Sequence, residues 1–201
     1  MQNGSEKLTK FQSLCVFCGS KCGDNPAYEA EARWLGTLMA QRGVRLVYGG
    51  GRIGLMGVVA DAVSAGGGDV VGVIPEFLLR LEVGNEQAGE LIVTDTMHTR
   101  KGKMYEMSDA AVVLPGGLGT MDETIEVMTW KQLRQHEKPI IVMNVDGYWD
   151  PFISLVDSIV DGGFAHPKVR DLISVVAGAD DVFNALAKAP MPDPEVLTSH
   201  L

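Results

Sequence analysis

Short apolar runs recur along this chain at 14–18, 44–48, 70–74, 91–93, 110–114, 140–143 and 173–177, and most of them lack the alternation of a one-sided sheet. Runs of that kind belong to strands covered on both faces. Helix-like segments fall between them. Asn25 followed by Pro26 reads as a cap and first turn, the helix runs toward Arg42, and Gly43 is its stop. Leu55, Val58, Val59, Ala62 and Val63 give the next segment an apolar face, and further helices are expected over 99–108, 120–136, 151–160 and 180–188. This alternation predicts an α/β fold, a doubly wound, Rossmann-like parallel sheet. With 201 residues, 46% of them hydrophobic, the chain suits one domain. Its expected extent is 13–188, with an N-terminal tail over 1–12 and a proline-rich C-terminal tail over 189–201.

Seventeen basic residues against 26 acidic ones leave a net charge of −9, which argues against a general surface for nucleic acid or anionic membrane. No apolar stretch approaches the length of a membrane span. The first ten residues are polar and lack the apolar core of a secretory signal, so a cytoplasmic location is expected. Cys15, Cys18 and Cys22 are odd in number and close together, which disfavours a disulfide framework. Cys15-Val-Phe-Cys18 falls within a strand, where residues three apart point to opposite faces and cannot readily clamp one ion. They read as small buried side chains, and no metal site is expected.

In a doubly wound sheet, ligands sit outside the carboxyl ends of the strands. The loops that fall there are Gly19-Ser20, Gly49-Gly50-Gly51, Pro75-Glu76 and the turn from Pro115 to Thr120. The last begins Pro115-Gly-Gly-Leu-Gly-Thr-Met-Asp-Glu123. Without Cβ atoms at Gly116, Gly117 and Gly119, backbone N–H groups can approach an anion, and the following helix adds its positive end. Glu123 lies one turn further in. A carboxylate there would repel phosphate unless aimed at another part of the ligand, which points to chemistry at the sugar. Thr120 and Glu123 also fit a capping box, which would occupy both side chains on the backbone. The glycine cluster and the basic segment Met97-His-Thr-Arg-Lys101 favour the ligand-binding reading.

Gly49-Gly-Gly-Arg-Ile-Gly54 fits the dinucleotide expression G-x-G-x-x-G, but it follows the second strand. Asp69 also begins the next strand, where a ribose-binding acid should end it. A mononucleotide loop or a tight turn remains. Arg100 could offer a planar fork to phosphate or a purine edge, with Lys101 and Lys103 beside it; the alternative is a solvated helix face. His98 reads equally as a structural partner or a general acid. Met121, Ile125 and Met128 share a helical stripe and read as core.

Taken together, Pro115-Gly-Gly-x-Gly-Thr-x-x-Glu123 and Met97-His-x-Arg-Lys101 resemble the Lonely Guy (LOG) family, whose members were often labelled lysine decarboxylase-like. The similarity extends to Gly19-Ser20, the Gly49-Gly-Gly-x-x-Gly-Leu-Met-Gly57 loop, Val73-Ile-Pro75 and Asn144-Val-Asp-Gly-Tyr148, and covers roughly residues 14 to 177. It implies hydrolysis of the N-glycosidic bond of cytokinin riboside 5′-monophosphates to free base and ribose 5-phosphate, and in some members of AMP. It further implies that Arg100 and Glu123 are the catalytic pair. The substrate contacts it implies are Glu82, Arg100, Lys101, Gly117, Leu118, Gly119, Thr120, Met121, Asp122, Glu123 and Thr129, and the loop positions Ser20 and Gly116 join them as candidates. Where members commonly carry two adjacent glutamates and an aromatic after the double glycine, this chain has Asp122 and Leu118. The stretch 83–89 reads Val-Gly-Asn-Glu-Gln-Ala-Gly in place of the usual Thr-Gly-x-Thr-Val-Gly.

In such a reaction Glu123 would stabilise an oxocarbenium-like ribose and help orient water, while the glycine loop fixes the 5′-phosphate. Arg100 would serve the leaving base or the phosphate-bearing end. No cofactor is expected; a pyridoxal phosphate decarboxylase needs a Schiff-base lysine and an acid for the pyridine nitrogen, and nothing marks that pair. A non-catalytic nucleotide-binding or carrier module would share the glycine loops, and a nicotinamide-dependent oxidoreductase is a third class. The family resemblance implies a homodimer, with Trp130 either in the interface or in the core.

Overall fold

The computed structural model describes residues 11–81 and 88–189. Glu82 and most of the expected tails, 1–12 and 189–201, lie outside the described residues. Strands β1 (Ser13–Phe17), β2 (Arg45–Tyr48), β3 (Val70–Pro75), β4 (Glu90–Thr94), β5 (Ala110–Val113), β6 (Ile140–Met143) and β7 (Ser174–Val176) form one sheet. Its order is β4-β3-β2-β1-β5-β6-β7, and every pairing is parallel. Each expected apolar run is a strand. The helices are α1 (Pro26–Gln41), α2 (Gly54–Ala65), α3 (Glu76–Leu81), α4 (Met97–Glu106), α5 (Leu118–Gln132), α6 (Asp150–Asp161) and α7 (Ala179–Lys188).

Successive side chains of a strand point to opposite faces, and both faces here are covered. Leu14 and Val16 of β1 join Leu46, Val112 and Ile141 against Leu35, Met39, Val59 and Phe183, from α1, α2 and α7. Cys15 and Phe17 join Val47, Val113 and Val142 against Met104, Val127, Phe152 and Val156, from α4, α5 and α6. Cys15 and Cys18 therefore belong to different cores, as their three-residue spacing predicts. Among the described residues no cluster of His, Cys, Asp and Glu could hold a metal ion, and no helix is long and apolar enough to cross a membrane.

The first helix is capped as expected, with Asn25 Oδ1 accepting from Ala27 N–H at 2.9 Å and Pro26 in the first turn. Helix α3 departs from the expectation of a loop at Pro75-Glu76. Pro75 closes β3, and the chain turns at once into a helix carrying an i,i+4 pair, Arg80 with Glu76 at 2.6 Å. The stripe Met121, Ile125, Met128 needs correction. Met128 is buried and Met121 packs against the core, but Ile125 is 43% exposed. At a 100° step per residue position 125 falls about 160° from the buried Val127 and within about 20° of the exposed Leu118, on the outward face. Trp130 is half-buried against the core and meets Tyr105 edge-on at 5.9 Å. Lys131 is also buried, and its Nζ donates to Leu172 O at 2.9 Å. Burial pushes its ammonium pKa down to about 8.

Helices α1 and α2 cross at Gly36, where an added Cβ would lie 2.7 Å from both Ala62 Cβ and Val59 O. Alanine in place of glycine gains roughly 1 kcal/mol in an exposed helix interior, whereas overpacking a core costs about 1–3 kcal/mol. The backbone oxygen cannot turn aside, so the steric effect should win. Gly36→Ala is expected to lower the unfolding free energy in urea titration; a gain in stability would show that the helices can part cheaply.

Candidate functional site

Connections from β1 run through β2 and β3 to the β4 edge, and α4 then carries the chain back to β5 on the other side of β1. The loops leaving β1 and β5 consequently diverge, and a crevice opens between them. Backbone bonds tie three loops together there. Gly19 N–H donates to Pro115 O at 3.1 Å, and Met56 N–H donates to Gly19 O at 3.4 Å. Gly54 has φ 65° and lies so close to the Ser20–Lys21 backbone that a Cβ has no room. The Gly49–Gly54 loop thus serves as packing for the Gly19-Ser20 loop. Asp69 pairs instead with Arg45 at 2.5 Å, at the opposite end of the strands.

Helix α5 begins at Leu118, with Gly117 as a cap that contributes no side-chain hydrogen bond. Thr120 is therefore already the third helical residue, and the capping box does not form. Thr120 is buried beneath Gly116, where any Cβ would strike its side chain. Gly117 O accepts from Met121 N–H at 3.0 Å. The N–H groups of the first turn are left as orphan donors at the positive end of a 15-residue helix.

Arg100 is 7% exposed, so the solvated-face reading fails for it. Its Nε donates to Val73 O at 3.0 Å, within β3, and its Nη2 to Gly49 O at 3.2 Å, the residue that follows β2. Gly49 is required here, because a Cβ would overlap the guanidinium. The remaining nitrogen, Nη1, lies 3.3 Å from Glu123 Oε1. Burial pushes the Glu123 carboxyl up to about 7, against the opposing pull of Arg100. Lys101 turns the other way, to Asp122 and Glu126, both at 2.9 Å. Lys103 meets Glu106 at the surface, and His98 is exposed.

A cavity of about 260 Å³ gathers Arg100, Glu123, Thr120, Gly119, Leu118, Gly117 and Ser20. Gly116 lines an adjoining cavity of about 340 Å³, with Gly117 and Ser20 common to both. Lys101, Asp122, Met121 and Thr129 are not part of either lining; Thr129 is exposed, its hydroxyl donating to Ile125 O at 2.8 Å. Sequence reasoning missed Leu78 and Met56 in the first cavity and Tyr148 and Tyr28 in the second. Leu78 sits on the unforeseen α3. Tyr148 closes the Asn144-Val-Asp-Gly motif, whose presence was its available signal.

Comparison with known proteins gives a family match over residues 56–186 to the family described as "Possible lysine decarboxylase". The chain is 42% identical to the cytokinin riboside 5′-monophosphate phosphoribohydrolase LOG7 of Arabidopsis thaliana, over 98% of this chain and 90% of that one. It is 46% identical to the phosphoribohydrolase LOG of Oryza sativa subsp. japonica, over 84% and 69%. Among solved structures, the molybdenum cofactor carrier protein of Chlamydomonas reinhardtii superposes with a TM-score of 0.66 at 22% identity, covering 88% of this chain and 96% of that one. The molybdenum cofactor binding protein of Rippkaea orientalis gives 0.65 at 20%, covering 88% and 95%. At such identity these two bear on the fold alone.

The raised Glu123 pKa has a thermodynamic sign. Between 4.5, its ordinary value, and about 7, the folded protein binds more protons at this group than the unfolded chain does. Its contribution to stability is therefore complete below 4.5 and is lost as pH rises through 7. Urea titrations from pH 5 to 8 should show a fall in unfolding free energy that flattens in Glu123→Gln; identical slopes in the two proteins would remove Glu123 as the source.

Proposed function

We infer that this chain, which belongs to the Lonely Guy (LOG) family, is a hydrolase that cleaves the N-glycosidic bond of cytokinin riboside 5′-monophosphates and of AMP, releasing free base and ribose 5-phosphate. The observation that carries the reading is a buried carboxyl group, Glu123, one turn beyond an anion-accepting backbone loop and facing the same cavity. A loop that holds the 5′-phosphate leaves the adjoining ribose within reach of that carboxyl group. Departure of the base takes the C–N electron pair and leaves positive charge on the ribose, which the Glu123 carboxylate opposes. Water then adds to the anomeric carbon and gives its proton to Glu123, and the base takes a proton from solvent. Each charge that develops has a partner.

The geometry of Arg100 favours a role through Glu123. With Nε and Nη2 engaged by the Val73 and Gly49 carbonyls, the guanidinium is fixed against the carboxylate and offsets its charge in a dry setting. This differs from a free fork closing on phosphate or base. Lys101 acts at one remove, joining α4 to the start of α5 through Asp122 and Glu126. The free thiols of Cys15, Cys18 and Cys22 accord with a cytoplasmic protein. Leu118 and Ile125 on the outward face of α5, 87% and 43% exposed, with Leu133 just past its end at 56%, support a homodimer formed through that helix.

For AMP and isopentenyladenosine monophosphate, kcat/KM is expected to rise with pH through about 7 as Glu123 ionises. Glu123→Gln should lose at least about 100-fold in kcat while nucleotide binding by calorimetry persists. Near-normal turnover of that variant, or binding with no release of free base by the parent protein, would overturn the assignment. In sedimentation the protein should run at twice its 21.6 kDa chain mass, and Ile125→Asp should shift it to one chain. A monomer at all concentrations would refute the interface.

A further inference from the structure

The segment from Asn144 to Tyr148 is built with more care than a connector requires. Asn144 Oδ1 accepts from Trp149 N–H at 2.7 Å, and its Nδ2 donates to Asp150 Oδ1 at 2.7 Å. Asp146 adopts φ 49°, a left-handed conformation that aspartate tolerates better than most residues, and Asn25 Nδ2 donates to its carboxylate at 2.8 Å. This turn delivers Tyr148 to the β5 loop, with its ring edge-on to Tyr28 at 5.2 Å and to Trp149 at 4.9 Å. Its hydroxyl donates to Gly116 O at 2.5 Å.

The consequence follows from peptide geometry. Three successive carbonyls of the loop are held: Pro115 O by Gly19 N–H, Gly116 O by the Tyr148 hydroxyl, and Gly117 O by Met121 N–H. The middle one is held by a side chain. In a planar trans peptide the N–H points opposite to the C=O, and no cis bond occurs among the described residues. The bond that fixes Gly116 O therefore also fixes the direction of Gly117 N–H, which points away from Tyr148. Gly116 and Gly117 have no side chains to brace that peptide, and glycine would otherwise let it rotate at little cost. Gly117 borders both cavities, so the plane of this one peptide decides which cavity receives the donor.

We propose that Tyr148 is a positioning residue that locks the Gly116–Gly117 peptide, aiming Gly117 N–H at the 5′-phosphate of the nucleotide. The inference rests on the phosphoribohydrolase reading above. It predicts a loss confined to the phosphate end of the ligand. Tyr148→Phe keeps the ring contacts and removes the hydroxyl. It should raise KM for AMP and the inhibition constant of inorganic phosphate by about tenfold, the scale of one net hydrogen bond, with kcat within about twofold. Asn25→Asp keeps an oxygen to cap α1 but replaces the donor facing Asp146 with an acceptor, and should shift both constants in the same direction by a smaller factor. An unchanged phosphate inhibition constant in Tyr148→Phe overturns the proposal, as does a fall in kcat with KM unaltered. If the parent protein releases no base from AMP, the assigned reaction fails instead; phosphate affinity measured by calorimetry in the two proteins then still decides the role of Tyr148.

Discussion

Everything at the site depends on β5 lying beside β1 in an all-parallel sheet. Leu14 to Phe17 pair in register with Ala110 to Val113, and the two strands deliver Gly19-Ser20 and the Pro115–Gly117 turn to the same edge. Parallel pairing forces each connection to cross over the sheet, and the reversal of crossover direction at this pair leaves space that no connection fills. The remaining elements aim groups into that space. Strand β3 and the residue after β2 supply the carbonyls that grip Arg100, α4 supplies the arginine, and α5 supplies the amide-rich turn and the acid.

The buried pair shows how the surroundings set chemistry that neither residue carries alone. A carboxyl group in water is ionised at neutral pH, and a guanidinium beside it should strengthen that tendency. Here removal from solvent outweighs the attraction, and Glu123 is poised near neutrality. Its partner is immobilised by backbone oxygens, so the pair cannot relax outward to recover hydration. A group held between its two protonation states is suited to accept a proton from water and return it to solvent.

The sequence disclosed the sheet almost completely, because strands covered on both faces must be apolar throughout and few other elements are so short and so uninterrupted. Covering helices were legible from their caps and stripes. Helix α3 was not, since a six-residue helix following proline carries too little periodicity to separate from a turn. The glycine loop and Glu123 were visible for a local reason, the spacing of residues within one junction. Arg100 was ambiguous because its burial comes from Gly49 and Val73, distant in sequence, and nothing in the Arg100-Lys101-Gly-Lys103 string distinguishes the cation held by backbone carbonyls from the two paired with carboxylates. Thr120 was open to misreading as a cap because the actual cap, Gly117, lies three residues earlier than the spacing implied. Tyr148 escaped because a hydroxyl reaching a carbonyl across 32 positions leaves no periodic trace.

The contact of Gly49 with the Arg100 guanidinium bears on how such a chain can change over generations. Any larger residue at 49 collides with the arginine, and a shorter residue at 100 strands two carbonyls and a buried acid. Neither position tolerates change while the other stays, so packing couples the two. A lineage that abandons the arginine regains freedom at the glycine, and the residue found at 49 becomes a record of whether the buried charge is still in use.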